Sequence, residues 1–299
     1  MSLLVVGSIA YDSIKTPHGS REDCLGGSST YFCLAASFFS PVRLVSVVGE
    51  DFRDEDMTLL QSHGIDTAGL EVAPGKTFRW GGEYSADMNS RETLFTELNT
   101  FGSFDPKVPA EWKEAPFLFL ANGHPTVQSA VLDQCTDVDF VVVDTMDLWI
   151  QTARDELLSL LKRVDGLVLN DEEAKLLTGE HNLISAGNAL LEMGPKIVMV
   201  KKGEHGCFLF NQYFQFALPA YPTSAVVDPT GAGDSFAGGF MGYLAGNGRV
   251  SLHNLKKAMA YGTVTASLNV ESFGLDRLST SSRTLVDDRF EEFLQFVTF

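Results

Sequence analysis

Short apolar, often β-branched runs recur along the chain as LLVVGSI, VRLVSVVG, FLFLANG, DFVVVDT, DGLVLN, KIVMVKKG and HGCFLF, with stretches of helical period between them. Continuous apolar runs of this length, without polar alternation, are what strands covered on both faces require. The pattern therefore predicts an α/β fold in which a central, mostly parallel sheet is sandwiched by helices. Between Gly75 and Gly102 the pattern changes to alternating polar and apolar positions, which predicts antiparallel strands in a small sheet or flap beside the main one. At the C-terminus Phe290, Phe293, Leu294 and Val297 recur at helical spacing and predict a last packed helix.

The chain has 299 residues, room for one large α/β domain or roughly two average ones. With 44% hydrophobic residues it can bury a sizeable core, and no repeat, low-complexity segment or long linker divides it. The net charge of -17, from 39 acidic against 22 basic residues, argues against nucleic acid or an anionic membrane as partner. It leaves room for a phosphorylated ligand at a locally positive site. Cys24, Cys33, Cys135 and Cys207 form no CxxC pair and no metal-like spacing, which fits idle thiols in a reduced compartment. The opening MSLLVVGSIAYDSI is too short an apolar run for a signal peptide or a span and reads as the first strand of a cytoplasmic domain.

The stretch VVDPTGAGDSFAGGF, Val226 to Phe240, carries the clearest chemistry. It has no lysine, so it is not a GxxxxGK[ST] phosphate loop, and Phe236 stands where GxGxxG needs its third glycine. A helix follows, with Phe236, Phe240 and Leu244 on one face beside Ala237 and Met241. Gly231, Ala232 and Gly233 then lie at a helix N-terminus, where bare N–H groups and the dipole attract an anion. Lacking a lysine, this anion site is expected to rest on backbone amides alone. Asp234, in the first turn, is either a helix-capping carboxylate or a base that takes a proton from a hydroxyl attacking a bound phosphorus.

The segment DPTGAGD, Asp228 to Asp234, resembles the C-terminal DTxGAGD signature of the ribokinase-like (PfkB) family of carbohydrate and nucleoside kinases, with Pro229 as the one departure. Further similarities are GSIAYD after the first strand, the pair Gly26-Gly27 before SSTYFCLAASFF, NDEE at Asn170 to Glu173 in the family's NxxE form, and KKGEHG at Lys201 to Gly206. They follow the family's order and span nearly the whole chain. The resemblance implies a single ribokinase-like α/β domain over residues 1–299, with β-lid segments near 10–24 and 75–102. It implies an enzyme that moves the γ-phosphoryl of ATP, with Mg²⁺, to a hydroxyl of a sugar or sugar-like acceptor. Asp234 would be the catalytic base and Gly231, Ala232 and Gly233 the anion hole.

By the same resemblance, Asn170 and Glu173 would organise Mg²⁺ with its waters and the phosphates, although the pair also fits a helix capping box. Gly203 and Gly206 would let the chain turn close to the nucleotide, with Lys201 or Lys202 near the phosphates. Thr263, Asn269 and Phe273 fall in the region of the adenine pocket. Asp228 and Thr230 match positions that in some members help bind K⁺. Asp12 matches the aspartate that binds substrate hydroxyls, and a carboxylate can accept two of them from a vicinal diol. Gly26 and Gly27 would allow close approach of the acceptor, and Asn122, at another strand end, would touch it.

Where ribokinase reads GGKGAN this chain reads GGSSTY, with Ser28 for the lysine and Tyr31 for the asparagine, which draws ribose itself into question. The lid segment contributes Phe78, Trp80, Met88 and Phe95, either as the lid's own core, as a homodimer contact, or as a surface for a nucleoside base. A sugar is the first expectation for the acceptor. A nucleoside of the adenosine or inosine type is the second. A non-catalytic sugar- or nucleotide-binding regulator is an alternative of another class, and it predicts loss of the base or the anion hole. A vitamin kinase of the wider superfamily ranks last.

Overall fold

The computed structural model describes residues 1–298. In chain order the strands are β1 (Leu3–Val6), β2 (Ala10–Thr16), β3 (Gly19–Gly26), β4 (Val42–Gly49), β5 (Ile65–Ala73), β6 (Phe78–Tyr84) and β7 (Arg91–Glu97). They continue with β8 (Phe117–Leu120), β9 (Phe140–Asp144), β10 (Gly166–Asn170), β11 (Ile197–Lys201), β12 (Cys207–Asn211) and β13 (Phe214–Leu218). A nine-stranded sheet has the order β13-β12-β11-β10-β9-β8-β1-β4-β5. Every pair from β11 across to β5 is parallel, and β12 and β13 extend that edge as an antiparallel hairpin.

The apolar runs are continuous because both faces of this sheet are covered. Leu3, Val5, Phe117 and Phe119 point into one core with the helices Ser28–Ser37, Ala232–Asn247, Leu252–Asn269 and Arg283–Val297. Leu4, Val6, Leu118 and Leu120 point into the other, with Leu157, Leu160, Leu177 and Leu190. Chain order reverses at β1, which has β8 on one side and β4 on the other. In open α/β sheets such a switch point opens a crevice at the carboxyl ends of the strands, where ligands bind.

A second, four-stranded sheet has the order β3-β2-β6-β7. The two hairpins within it are antiparallel, as the alternation predicts, but β2 and β6 pair in parallel, which ties residues near the N-terminus to the 75–102 segment. Strand β7 is exposed along its whole length, including Leu94 and Phe95, because nothing pairs with its outer edge. All four cysteines are free thiols, and among the described residues no helix is long and apolar enough to cross a membrane.

Candidate active site

The helix Ala232–Asn247 begins from Gly231, whose φ of 74° lies in the left-handed region that glycine alone enters without strain. A Cβ there would also collide with the ring of Tyr31. Among the described residues, the N–H groups of Gly231 and Gly233 have no hydrogen-bond partner, so this end of the helix is open to an anion. The loop before it is clamped. Both oxygens of the wholly buried Asp228 accept backbone N–H groups, from Thr230 at 2.9 Å and from Gly274 at 3.0 Å. The Asn269 amide donates to the Thr230 carbonyl at 2.7 Å and accepts from the Ser235 hydroxyl at 3.2 Å.

The expectation that the anion site rests on amides alone is corrected by Lys201. It is the last residue of β11, and a Cβ at Gly233 would lie 2.8 Å from its Nζ. The Lys201 ammonium is paired at 3.5 Å with Asp144, the last residue of β9, and both side chains are largely buried. Of the two lysines that the KKGEHG segment offered for the phosphates, Lys201 is the one that reaches this loop, and it arrives from a different strand. Burial alone would lower the Lys201 pKa, but Asp144, Glu173 and Asp234 around it raise it, so it stays charged. Asp234 does not cap the helix: no side-chain cap is made there. Its carboxyl is pushed up to about 8 by burial and by Asp144, with Lys201 opposing.

Asn170 and Glu173 form the capping box at the start of helix Asp171–Thr178, with Asn170 Oδ1 accepting from the Glu173 N–H and Glu173 Oε2 accepting from the Asn170 N–H, both at 2.8 Å. The same Glu173 faces Lys201 and Asp144, and burial pushes its pKa up to about 7. Of the two alternatives for this pair, the capping box is formed, and it leaves the Glu173 carboxylate facing Lys201. Gly203 and Gly206, with φ of 51° and 86°, shape the turn after β11, and Lys202 stays in that turn, its N–H bonded to the Gly206 carbonyl at 2.8 Å.

Asp12 lies in β2, at 4% exposure, with its carboxylate against Gly26 and accepting a long hydrogen bond from the Gly27 N–H at 3.4 Å. Burial pushes it up to about 7, with Asp228 adding and the Gly27 N–H and Arg91 opposing. Asp12 is the Cα partner of Trp80 across the parallel β2–β6 pair, so the two side chains leave the same face of the small sheet. Two residues further along β6, Gly82 leaves room for the Trp80 ring, which a Cβ there would strike. Arg91 of β7 lies over the ring at 5.0 Å. Tyr84, further along β6, accepts from Thr230 at 3.1 Å and so links this face to the glycine loop. Tyr31 is buried beside it with a hydroxyl that has no partner.

Several expected contacts are corrected. Ser28 is engaged with Ser8, both through its hydroxyl at 3.1 Å and through its N–H. Asn122 accepts from the Trp149 indole at 3.0 Å and turns its amide to Met146, so it is tied to the strand ends. Asn269 is fully buried as a clamp of the glycine loop, and Thr263 donates to the Met259 carbonyl inside its own helix. Phe273 packs against Gly19 and under Arg21, on the β2–β3 hairpin. Asp144 and Arg91 were missed. The acid closing the apolar run DFVVVD was a legible signal for the first, and nothing in an exposed edge strand marks the second.

A family model described as pfkB family carbohydrate kinase matches residues 117–281. The chain is similar to the cytidine kinase of Thermococcus kodakarensis, with 30% identity over 254 residues that cover 82% of this chain and 90% of that one. Its fold is similar to that of Burkholderia thailandensis nucleoside kinase in complex with inosine, with a TM-score of 0.81, 20% identity and coverage of 98% and 97%. It is likewise similar to an E. coli chain solved in complex with ATP and Mg²⁺, with a TM-score of 0.77, 20% identity and coverage of 97% and 99%. A doubly covered parallel sheet, a glycine loop opening a buried helix, and a match running through both halves of the chain agree: this protein belongs to the pfkB family of carbohydrate kinases.

Proposed function

We propose that this kinase transfers the γ-phosphoryl of ATP to a hydroxyl of a nucleoside, with Asp234 as the base. The observation that carries the acceptor is the pairing of Asp12 with Trp80 on one sheet face. A carboxylate suited to a vicinal diol stands beside an aromatic plate, which matches a ribose bearing a base better than a bare sugar. The broad similarity to a cytidine kinase supports this order of preference over the sugar first expected. The open N–H groups at Gly231 and Gly233, with the Lys201 ammonium, are suited to the charge on a transferring phosphoryl. Asp234, in the first turn of the same helix, would take the acceptor proton. The base and the anion hole are both intact, which counts against a purely binding role.

The donor set beside Lys201 fits Mg²⁺. Glu173 keeps a carboxylate facing Lys201 beside the Asn170 side-chain oxygen, and Mg²⁺ takes one or two carboxylates together with phosphate oxygens and water. Asn170 and Glu173 would hold it through water. When bound, the ion neutralises charge between the phosphates. Potassium fits less well, because both Asp228 oxygens and the Thr230 hydroxyl already have partners. The small sheet acts as a lid over the acceptor, within a single domain, and the bare edge of β7 with Leu94 and Phe95 is the surface a second copy would use.

Turnover tested across cytidine, inosine, adenosine, ribose and fructose with MgATP decides the acceptor. Phosphorylation of at least one nucleoside, with kcat/KM above that of either sugar, is the expected result. Turnover of sugars alone would sink the nucleoside reading.

A further inference from the structure

Asp144 is the one strongly buried acid near the glycine loop for which the reaction outlined above has no direct use. It lies at 5% side-chain exposure at the end of β9, and its orientation is fixed. Its Oδ1 accepts from the Thr145 N–H at 2.9 Å, and its backbone carbonyl accepts from the buried Gln128 amide at 2.9 Å. That leaves Oδ2 turned toward the Lys201 Nζ at 3.5 Å. Between the two strands runs β10, paired with both. Neighbouring strands are about 4.8 Å apart, so the Lys201 side chain must cross the end of β10 to reach its partner. A lysine stem has four flexible carbons and an exposed strand-end lysine normally points into water. Here the crossing brings the ammonium to Gly233 instead.

We propose that Asp144 is a positioning residue, which draws Lys201 across the strand ends and holds its ammonium against the Gly231–Gly233 loop as the positive charge that receives the γ-phosphoryl. The proposal rests on the kinase reading above and adds to it a residue that touches neither acceptor nor nucleotide. The alternatives for the lysine are Glu173, one of whose oxygens is engaged in the capping box, and Asp234. Were Lys201 to pair with Asp234, the base would be blocked. Asp144 therefore has a second consequence, keeping the lysine off the base.

The test is a double-mutant cycle read by calorimetric binding and by kinetics. Wild type, Asp144→Asn, Lys201→Met and the double variant are titrated with ADP and with the non-hydrolysable analogue AMP-PNP, after thermal melts establish that each is folded. A charge-assisted contact to the terminal phosphoryl predicts that Asp144→Asn and Lys201→Met each cut the affinity for AMP-PNP relative to ADP by on the order of tenfold. The double variant should be no worse than Lys201→Met alone, because Asp144 acts through the lysine. In turnover, kcat should fall while the acceptor KM stays within about twofold, and Lys201→Arg should retain more activity than Lys201→Met. Additive losses in the double variant, or an unchanged AMP-PNP to ADP ratio in Asp144→Asn, would overturn the proposal. If Asp144→Asn does not fold, Asp144→Glu, which keeps the charge, must preserve the ratio; its loss would count against the proposal in the same way. Wild type that binds no nucleotide would overturn both the proposal and the kinase reading. A normal cycle with no nucleoside turnover would support the proposal and remove only the acceptor.

Discussion

Asp234 is a carboxyl in a site already crowded with acids, and that crowding gives it a usable basicity. Burial and Asp144 push its pKa up to about 8, whereas an exposed aspartate would hold a proton too weakly to act near neutrality. Replacing it by asparagine removes the base and the buried charge and leaves the fold, so kcat should drop by about 10²- to 10⁴-fold in steady-state assays with no loss of Tm. Because only the deprotonated base works, kcat/KM should rise with pH, reach half its plateau near pH 8 and level off above it, and the limb should vanish in the residual activity of Asp234→Asn. On the acceptor side, Trp80→Ala removes the plate beside Asp12. A stacked base is worth about 1–3 kcal/mol, so the nucleoside KM should rise by roughly tenfold with kcat nearly unchanged. An equal effect on ribose would show that the ring has no base to stack.

The glycine loop and its helix form the element that the sequence marks most clearly, yet what holds the loop in place lies elsewhere. Gly231 is legible because only glycine suits a left-handed turn into a buried helix. Asn269 is not, because its partners Thr230 and Ser235 are brought to it by the packing of the helix Leu252–Asn269 against the helix Ala232–Asn247. From sequence it passes for a pocket residue. Asn269→Ala would leave the Thr230 carbonyl without its partner inside the protein, which should cost about 1–3 kcal/mol in denaturant unfolding. The loosened loop should lower kcat more than it raises the acceptor KM. Asn170 and Glu173 illustrate a related limit: the spacing NxxE is equally right for a capping box and for a cation site, and the structure has the box while leaving the Glu173 carboxylate facing Lys201.

At the scale of the molecule, the site gathers acids whose charge the fold must tolerate when no cation is present. Asp12 and Asp234, raised from 3.8 to about 7 and about 8, bind protons in the folded chain that the unfolded chain has already lost. Their stabilising contribution is therefore complete below about pH 4 and disappears as pH rises through about 8. The ligand-free protein should lose Tm between pH 6 and pH 8 by differential scanning calorimetry, and Mg²⁺ with AMP-PNP should recover most of the loss. A Tm that rises steadily over that interval would contradict the burial of these groups. The sequence by itself determined the α/β class, the switch from continuous to alternating apolar pattern that separates the two sheets, and the glycine loop with Asp234, because burial on both faces, pleat and left-handed φ each restrict residue type locally. Only the tertiary structure decided that Lys201 and not Lys202 reaches that loop from β11, that Asp144 faces it from β9, and that Asp12 stands beside Trp80. These depend on which strands become neighbours, and strand order is fixed by crossover packing over the whole chain, not by any residue's own neighbours in sequence.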